Sequence, residues 1–365
     1  MLRFRSSIRR PVRRHGSDRY ILITLFSFAA SVIITRLFLG MTGYPQLGNQ
    51  EIHIAHVLWG GLLLFFAALM PLLFANRWIY TLGSILAGIG VGLFIDEVGK
   101  FITTNNNYFY PLAAPIIYAF FLLTVLIYIR IRRQTPRDPR TELYKTLDAL
   151  EEVIEHDLDF DERINLENRL HFIANQKDEP DLAHLADELL KVLPTLPLVP
   201  ERPTIWEKIS RFWYNYESSW ISQARLKAIL IGGLFALGWV AFINMAKALP
   251  IGPSKTTLEQ EMIRMINSGQ VRNAGGLNWF IARLALETGV GTLIIVAAGL
   301  LLAGKDRAGI LMGSLAMLLS LTTVNLLIFY FDQFSTIFLA LIELITFIGL
   351  RYYNQKYIRL KAVVV

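Results

Sequence analysis

Long apolar blocks alternate with short polar breaks along this chain, and eight of the blocks have the length of a membrane crossing. They cover 20–39, 53–74, 78–101, 111–131, 226–249, 277–303, 309–331 and 335–350. About 20 apolar residues in helical conformation cross the ~30 Å hydrocarbon layer. Blocks this continuous lack the period-2 alternation of half-buried strands. The pattern predicts an all-α polytopic membrane protein with eight transmembrane helices, four in 20–131 and four in 223–350.

Between the two four-helix halves, 132–202 leaves the apolar pattern and is dense in Asp and Glu. Asp138-Pro139 reads as an N-cap followed by proline at the first helical position. Leu143, Leu147, Leu150 and Ile154 then share one helical face. A second helix over 161–176 is expected to bury Leu166, Leu170 and Ile173. A third, after Pro180, is expected to turn Leu182, Leu185 and Leu189 inward and to stop at Pro194. Together they predict a small acidic three-helix insert. In 203–222, Trp206, Trp213, Tyr216 and Trp220 fall on one stripe with Lys208 and Arg211 beside it. That is the pattern of an amphipathic helix in the headgroup layer, or of one packed on the insert.

Composition changes this picture little: 54% of residues are hydrophobic and the mean hydropathy is +0.43. The absence of cysteine excludes disulfides, thiol nucleophiles and Cys-ligated metal centres. Charge adds orientation. The net charge of +7 gathers at span ends, in the basic segment 1–19, after the fourth span, and in the tail 351–365. By the positive-inside rule both termini and the insert are expected in the cytoplasm, with the spans in the cytoplasmic (inner) membrane. The expected partners are the lipid bilayer and, through 137–200, a cytoplasmic protein, rather than nucleic acid.

Candidate chemistry lies where the apolar blocks carry ionisable groups, since such residues are costly in a membrane and mark function by default. His53 and His56 open the second span, and Asp96, Glu97 and Lys100 close the third. A hairpin turning near 75 sets His56 level with Asp96, and Glu51 level with Lys100. Ser84, Gly88, Gly92, Asp96 and Lys100 recur every four residues, a small-residue stripe that places Asp96 on a packed face. Arg36, roughly 24 Å along the first span at 1.5 Å per residue, is an available counter-charge.

A shift of 230 residues aligns Arg77 with Arg307, Gly83-Ser84 with Gly313-Ser314 and Gly61 with Gly291, the trace of a parallel repeat. The second hairpin, turning near 306, then sets Glu287 level with Asn325, beside the positions of His56 and Asp96. Glu343, in ALIELITF, has no basic neighbour, so its charge must be neutralised or met from another helix.

These groups admit several readings. One is an ion-paired clamp. Another is an outward-facing polar cavity between the halves, through which a transporter or ion/proton-coupled permease passes a cation or protons. A third is a metal-dependent membrane hydrolase in which His53, His56 and Asp96 hold a divalent cation and a second carboxylate acts as base. Membrane hydrolases of the alkaline-ceramidase type use His/Asp sets of this kind, but here the membrane part carries only His53 and His56, with no later pair. A sensor or scaffold acting through the insert is the remaining class. The transport reading takes the polar groups of both halves together.

Overall fold

The computed structural model describes residues 11–43, 55–108, 110–132, 137–154, 158–176, 178–198, 222–248, 274–332 and 336–359. Among these, every regular element is helical. Eight helices are long and apolar enough to cross a membrane, which makes the chain a multi-pass integral membrane protein. Large apolar side chains such as Phe26, Leu58, Trp59, Leu311 and Ile345 cover their outer faces, as contact with lipid requires. The Trp206–Trp220 stripe, Glu51 and His53 lie outside the described residues.

The chain forms two compact units that do not follow its linear order. The first comprises Met1–Asp96 and Leu123–Lys208, the second Glu97–Leu122 and Ile209–Val365.

In the first unit, α1 (Ser17–Thr42) ends at Gly43, whose positive φ of 74° returns its N–H to the Leu39 carbonyl. Helices α2 (His56–Leu73) and α3 (Arg77–Asp96) form the expected tight hairpin. The small-residue stripe of α3 packs on α1. A Cβ on Gly92 would meet Ser31, and one on Gly88 would strike the Thr24 carbonyl and Ser27. Thr24 Oγ1 and Ser31 Oγ donate across this seam to the carbonyls of Ser84 (3.2 Å) and Ile89 (3.2 Å). Helix α2 uses a different face of α3, through Gly60 against the backbone of Gly90 and Phe94.

The sequence pattern predicts one helix over 78–101, but α3 stops at Asp96 and a separate turn, α4 (Val98–Phe101), follows. The reason is local. Arg36 Nη2 donates to the Asp96 carbonyl (3.1 Å), and the Lys100 N–H goes to Glu97 O (2.9 Å) in place of the helical acceptor.

The interposed bundle also belongs to the first unit. Helix α6 (Pro139–Ala149) is capped by Asp138, whose side chain accepts from the Thr141 N–H at 3.0 Å. A short α7 (Glu151–Ile154) follows. Helix α8 (Phe160–Ala174) opens with a capping box of Asp159 and Glu162, and α9 (Pro180–Val192) runs into a 3-10 turn, Leu193–Thr195. Leu143, Leu158, Leu166, Leu170, Ile173 and Ala186 are buried together. Leu147 and Leu185 are exposed, contrary to expectation. Helix α6 is rotated so that Glu142, Leu143, Thr146 and Ala149 face inward, with Glu142 held by Lys145 (2.9 Å) and near Arg169 (3.9 Å). In α9 the small Ala186 takes the buried position.

The second unit holds α10 (Gln223–Ala248), α11 (Ala274–Leu302), α12 (Asp306–Leu319), α13 (Asn325–Asp332) and α14 (Ile337–Tyr353), with the first part of α5 (Ala113–Arg132). Its core joins Leu234, Ile294, Ala298, Met317, Ile328 and Leu350. Helix α10 runs along α11, where Gly238 and Gly291 let the backbones approach. The first span thus packs mainly on the third in one unit, whereas the fifth packs mainly on the sixth in the other. That difference separates the two units in packing. At one end of this unit Lys227 pairs with Asp306 (2.6 Å), which also accepts from the Tyr353 hydroxyl (2.9 Å), tying α10, α12 and α14 together.

Candidate functional site

Three carboxylates are buried within spans, Asp96 in the first unit and Glu343 and Glu287 in the second. In the first unit, Asp96 is fully buried and its two oxygens are both engaged. Arg36 Nε stands 2.5 Å from Oδ1, and His56 Nε2 lies 3.1 Å from Oδ2. The Arg36 side chain is only 9% exposed, so its charge and that of Asp96 are desolvated together. The hairpin brings His56 level with Asp96 as the spacing predicts. Arg36 joins them because the Gly88–Gly92 stripe docks α1 beside the end of α3.

At Asp96 a divalent cation would compete with an arginine already in place. The Arg36 guanidinium holds the oxygen a metal would take and brings a like charge to the same place. Among the described residues no group of three His, Asp or Glu side chains is arranged to hold a metal. The third member of the expected triad, His53, lies outside them.

Glu97 and Lys100 belong to the second unit and pair with one another (2.9 Å), with Lys100 Nζ 5.5 Å from the Tyr108 ring centroid. Glu97 is almost fully buried.

In the second unit, Glu343 lies midway along α14 and is buried. Its Oε1 accepts from Ser320 Oγ (2.8 Å) and its Oε2 from Asn325 Nδ2 (2.7 Å). Ser320 and Asn325 bracket a π turn, Ser320–Val324, that interrupts the seventh span between α12 and α13. The wider turn rotates both side chains onto the α14 face. It also presents the Leu321 carbonyl, which accepts from the Tyr118 hydroxyl (2.5 Å), while the Tyr118 ring packs on Phe329 (4.7 Å). Such π turns recur at functional sites. Both donors to Glu343 are neutral, and among the described residues no cation lies within ion-pair distance of it.

Glu287 lies within electrostatic range of Glu343. Its Oε1 accepts from Asn244 Nδ2 (2.6 Å), and Arg283 Nε stands 3.5 Å from Oε2. Arg283 in turn pairs with Asp332 (2.6 Å). The depth matching that sets Glu287 beside Asn325 therefore does not make them partners: Asn325 serves Glu343, and Asn244 serves Glu287. Arg283, an ionisable residue inside the sixth apolar block, carries the same signal as Glu287, whereas Ser320 and Tyr118 carry none that separates them from ordinary span residues. The interruption that aligns Ser320 with Asn325 follows a helical period that no regular template contains.

Compared with protein families, with curated proteins and with solved structures, the chain matches none.

Proposed function

We propose that this protein is a proton- or cation-coupled membrane carrier, with Glu343 as the group that takes up the coupling ion. One observation carries this reading: a carboxylate buried within a span at a π turn, whose donors among the described residues are neutral. An isolated ionised carboxylate costs several kcal/mol inside a membrane protein. A proton or a cation arriving at Glu343 removes that cost, and its departure restores it. The neutral donors hold the carboxylate in place without supplying the compensating charge. Glu287 lies in electrostatic range as well, with its own charge met in part by Arg283, which it shares with Asp332.

The basic segments at the span ends support a cytoplasmic location for both termini and the interposed bundle, within a cytoplasmic membrane. The lack of native cysteine permits a clean labelling test. Single cysteines at Asn106 and Arg133 should react from the outside and only from the inside, respectively. External labelling at position 133 overturns this orientation.

Transport itself is tested in proteoliposomes loaded with a pH-sensitive dye. Proton movement is followed under an imposed potential, alone and with Na⁺, K⁺ or Mg²⁺ gradients. Wild type should show flux above empty vesicles, and Glu343→Gln should lose it while keeping its fold. Absence of any such flux in wild type, or equal flux in the variant, rejects the reading.

A further inference from the structure

The first unit contains a cleft of ≈ 1150 Å³ that the transport reading does not use. It lies where the N-terminal segment and the start of α1 meet the end of α5 and a polar side of α6 and α8. Its walls carry six arginines and one lysine against three carboxylates, an excess of four positive charges before His15 is counted. Two of the three carboxylates already have structural tasks. Asp138 caps α6, and Glu142 is bound to Lys145 with Arg169 nearby.

The wall is built rather than fortuitous. Arg14 pairs with Asp148 (2.9 Å) and stacks over the Tyr80 ring (3.5 Å to its centroid), and Arg13 donates to the Ile131 carbonyl (3.0 Å). These contacts hold the N-terminal segment as one side of the cleft. The opposite side offers the amides of Asn165 and Asn168 beside Arg169. The cations there are crowded. Burial, with Arg137 and Arg77 adding to it and Glu142 opposing, holds Arg169 below the usual arginine range. His15 is likewise held below the ordinary imidazole value by burial, then by Arg169 and Arg77.

We propose that this cleft is a binding site for a multiply charged phosphate, supplied by a soluble phosphorylated solute or by the headgroup of an anionic phospholipid. Guanidinium groups present paired donors that match phosphate oxygens, and the predominance of arginine over lysine favours that geometry. The asparagine amides add neutral donors, and the volume admits more than a single phosphate group. A site joining the ends of two spans to the interposed bundle would let such a ligand bind both, giving the bundle a regulatory ligand independent of any carrier role.

The test uses the full-length protein in detergent micelles at low salt. In one arm inorganic pyrophosphate is titrated by calorimetry. In the other, short-chain phosphatidic acid is titrated against short-chain phosphatidylcholine. Saturable binding of one ligand per chain is expected for pyrophosphate if the source is soluble, or for phosphatidic acid alone if it is lipid. The double variant Arg137→Ala/Arg140→Ala should weaken that binding at least tenfold, and Lys191→Ala, which removes a positive charge from exposed α9 away from the cleft, should leave it unchanged. Asn168→Glu, an exposed change that adds a carboxylate to the cleft, should weaken it as much and covers the case in which the arginine variant misfolds. Failure of both probes to bind, or binding equal to wild type in folded Asn168→Glu, overturns the proposal.

Discussion

Asp96 and Glu343 are both carboxylates buried in spans, yet the two units treat them in opposite ways. Asp96 meets an arginine from one helix and a histidine from another, and its backbone carbonyl is drawn into the same contact. Glu343 meets a serine and an asparagine from a single interrupted span. Full charge compensation makes the first a clamp between α1, α2 and α3, and the break after Asp96 is part of its geometry. In the proposed carrier role, hydrogen bonding by neutral donors lets the second exchange a proton or cation at little structural cost. Burial alone therefore does not distinguish the two carboxylates; the charge of their neighbours does.

Removing one partner from the clamp is the sharpest way to expose the contrast. Asp96→Ala removes the carboxylate that faces the buried Arg36 charge, and should destabilise the protein by about 3–5 kcal/mol, read as a large fall in melting temperature in detergent. The double replacement Arg36→Met/Asp96→Leu should recover most of that loss. If the double variant is as unstable as the single one, Asp96 does more than neutralise Arg36.

Glycine substitutions test whether close packing, rather than charge alone, builds the clamp. Gly88→Ala places a Cβ against the Thr24 carbonyl and should cost about 1–3 kcal/mol by forcing α1 away from α3. Gly232→Ala, on α10, meets nothing within 4 Å and should be neutral or slightly stabilising. Equal effects at the two sites would mean that the α1–α3 approach is not tight.

At Glu343 the stability effect should be smaller still. Glu343→Gln keeps one acceptor and gives up one hydrogen bond, a loss of about 1 kcal/mol or less, while the proteoliposome flux disappears. A fall in melting temperature as large as that of Asp96→Ala would make Glu343 a structural residue and end the contrast.

The smallest effect concerns the bundle. Folding lowers the proton affinity of His15, so its neutral form is favoured in the native state. Stability from this source is present above the unfolded imidazole value of about 6.5 and is lost as pH falls below it. The melting temperature should drop slightly on acidification, and His15→Gln should flatten that part of the profile. An unchanged profile in the variant assigns the drop to other groups.

The spans, the α2–α3 hairpin, the capped start of α6 and the proline-led start of α9 were legible because each follows from residues adjacent in the chain. Burying an apolar side chain is favourable largely regardless of its partner, so hydropathy and helical period along the sequence carry the information. The level matching of His56 and Asp96 was legible for the same reason, since a tight turn converts sequence position into depth. What the chain order does not encode is how each helix is rotated and which helix it meets. Arg36 reaches Asp96 across 60 residues because small side chains let α1 approach α3, and Asn325 reaches Glu343 across 18 because the π turn advances its phase. The cleft likewise arises only when the N-terminal segment folds against the bundle, gathering arginines from separate stretches of chain. Sequence by itself determined that charged groups enter the membrane; the tertiary structure decided which are neutralised, because electrostatic compensation depends on distances of a few ångströms between residues far apart in the chain.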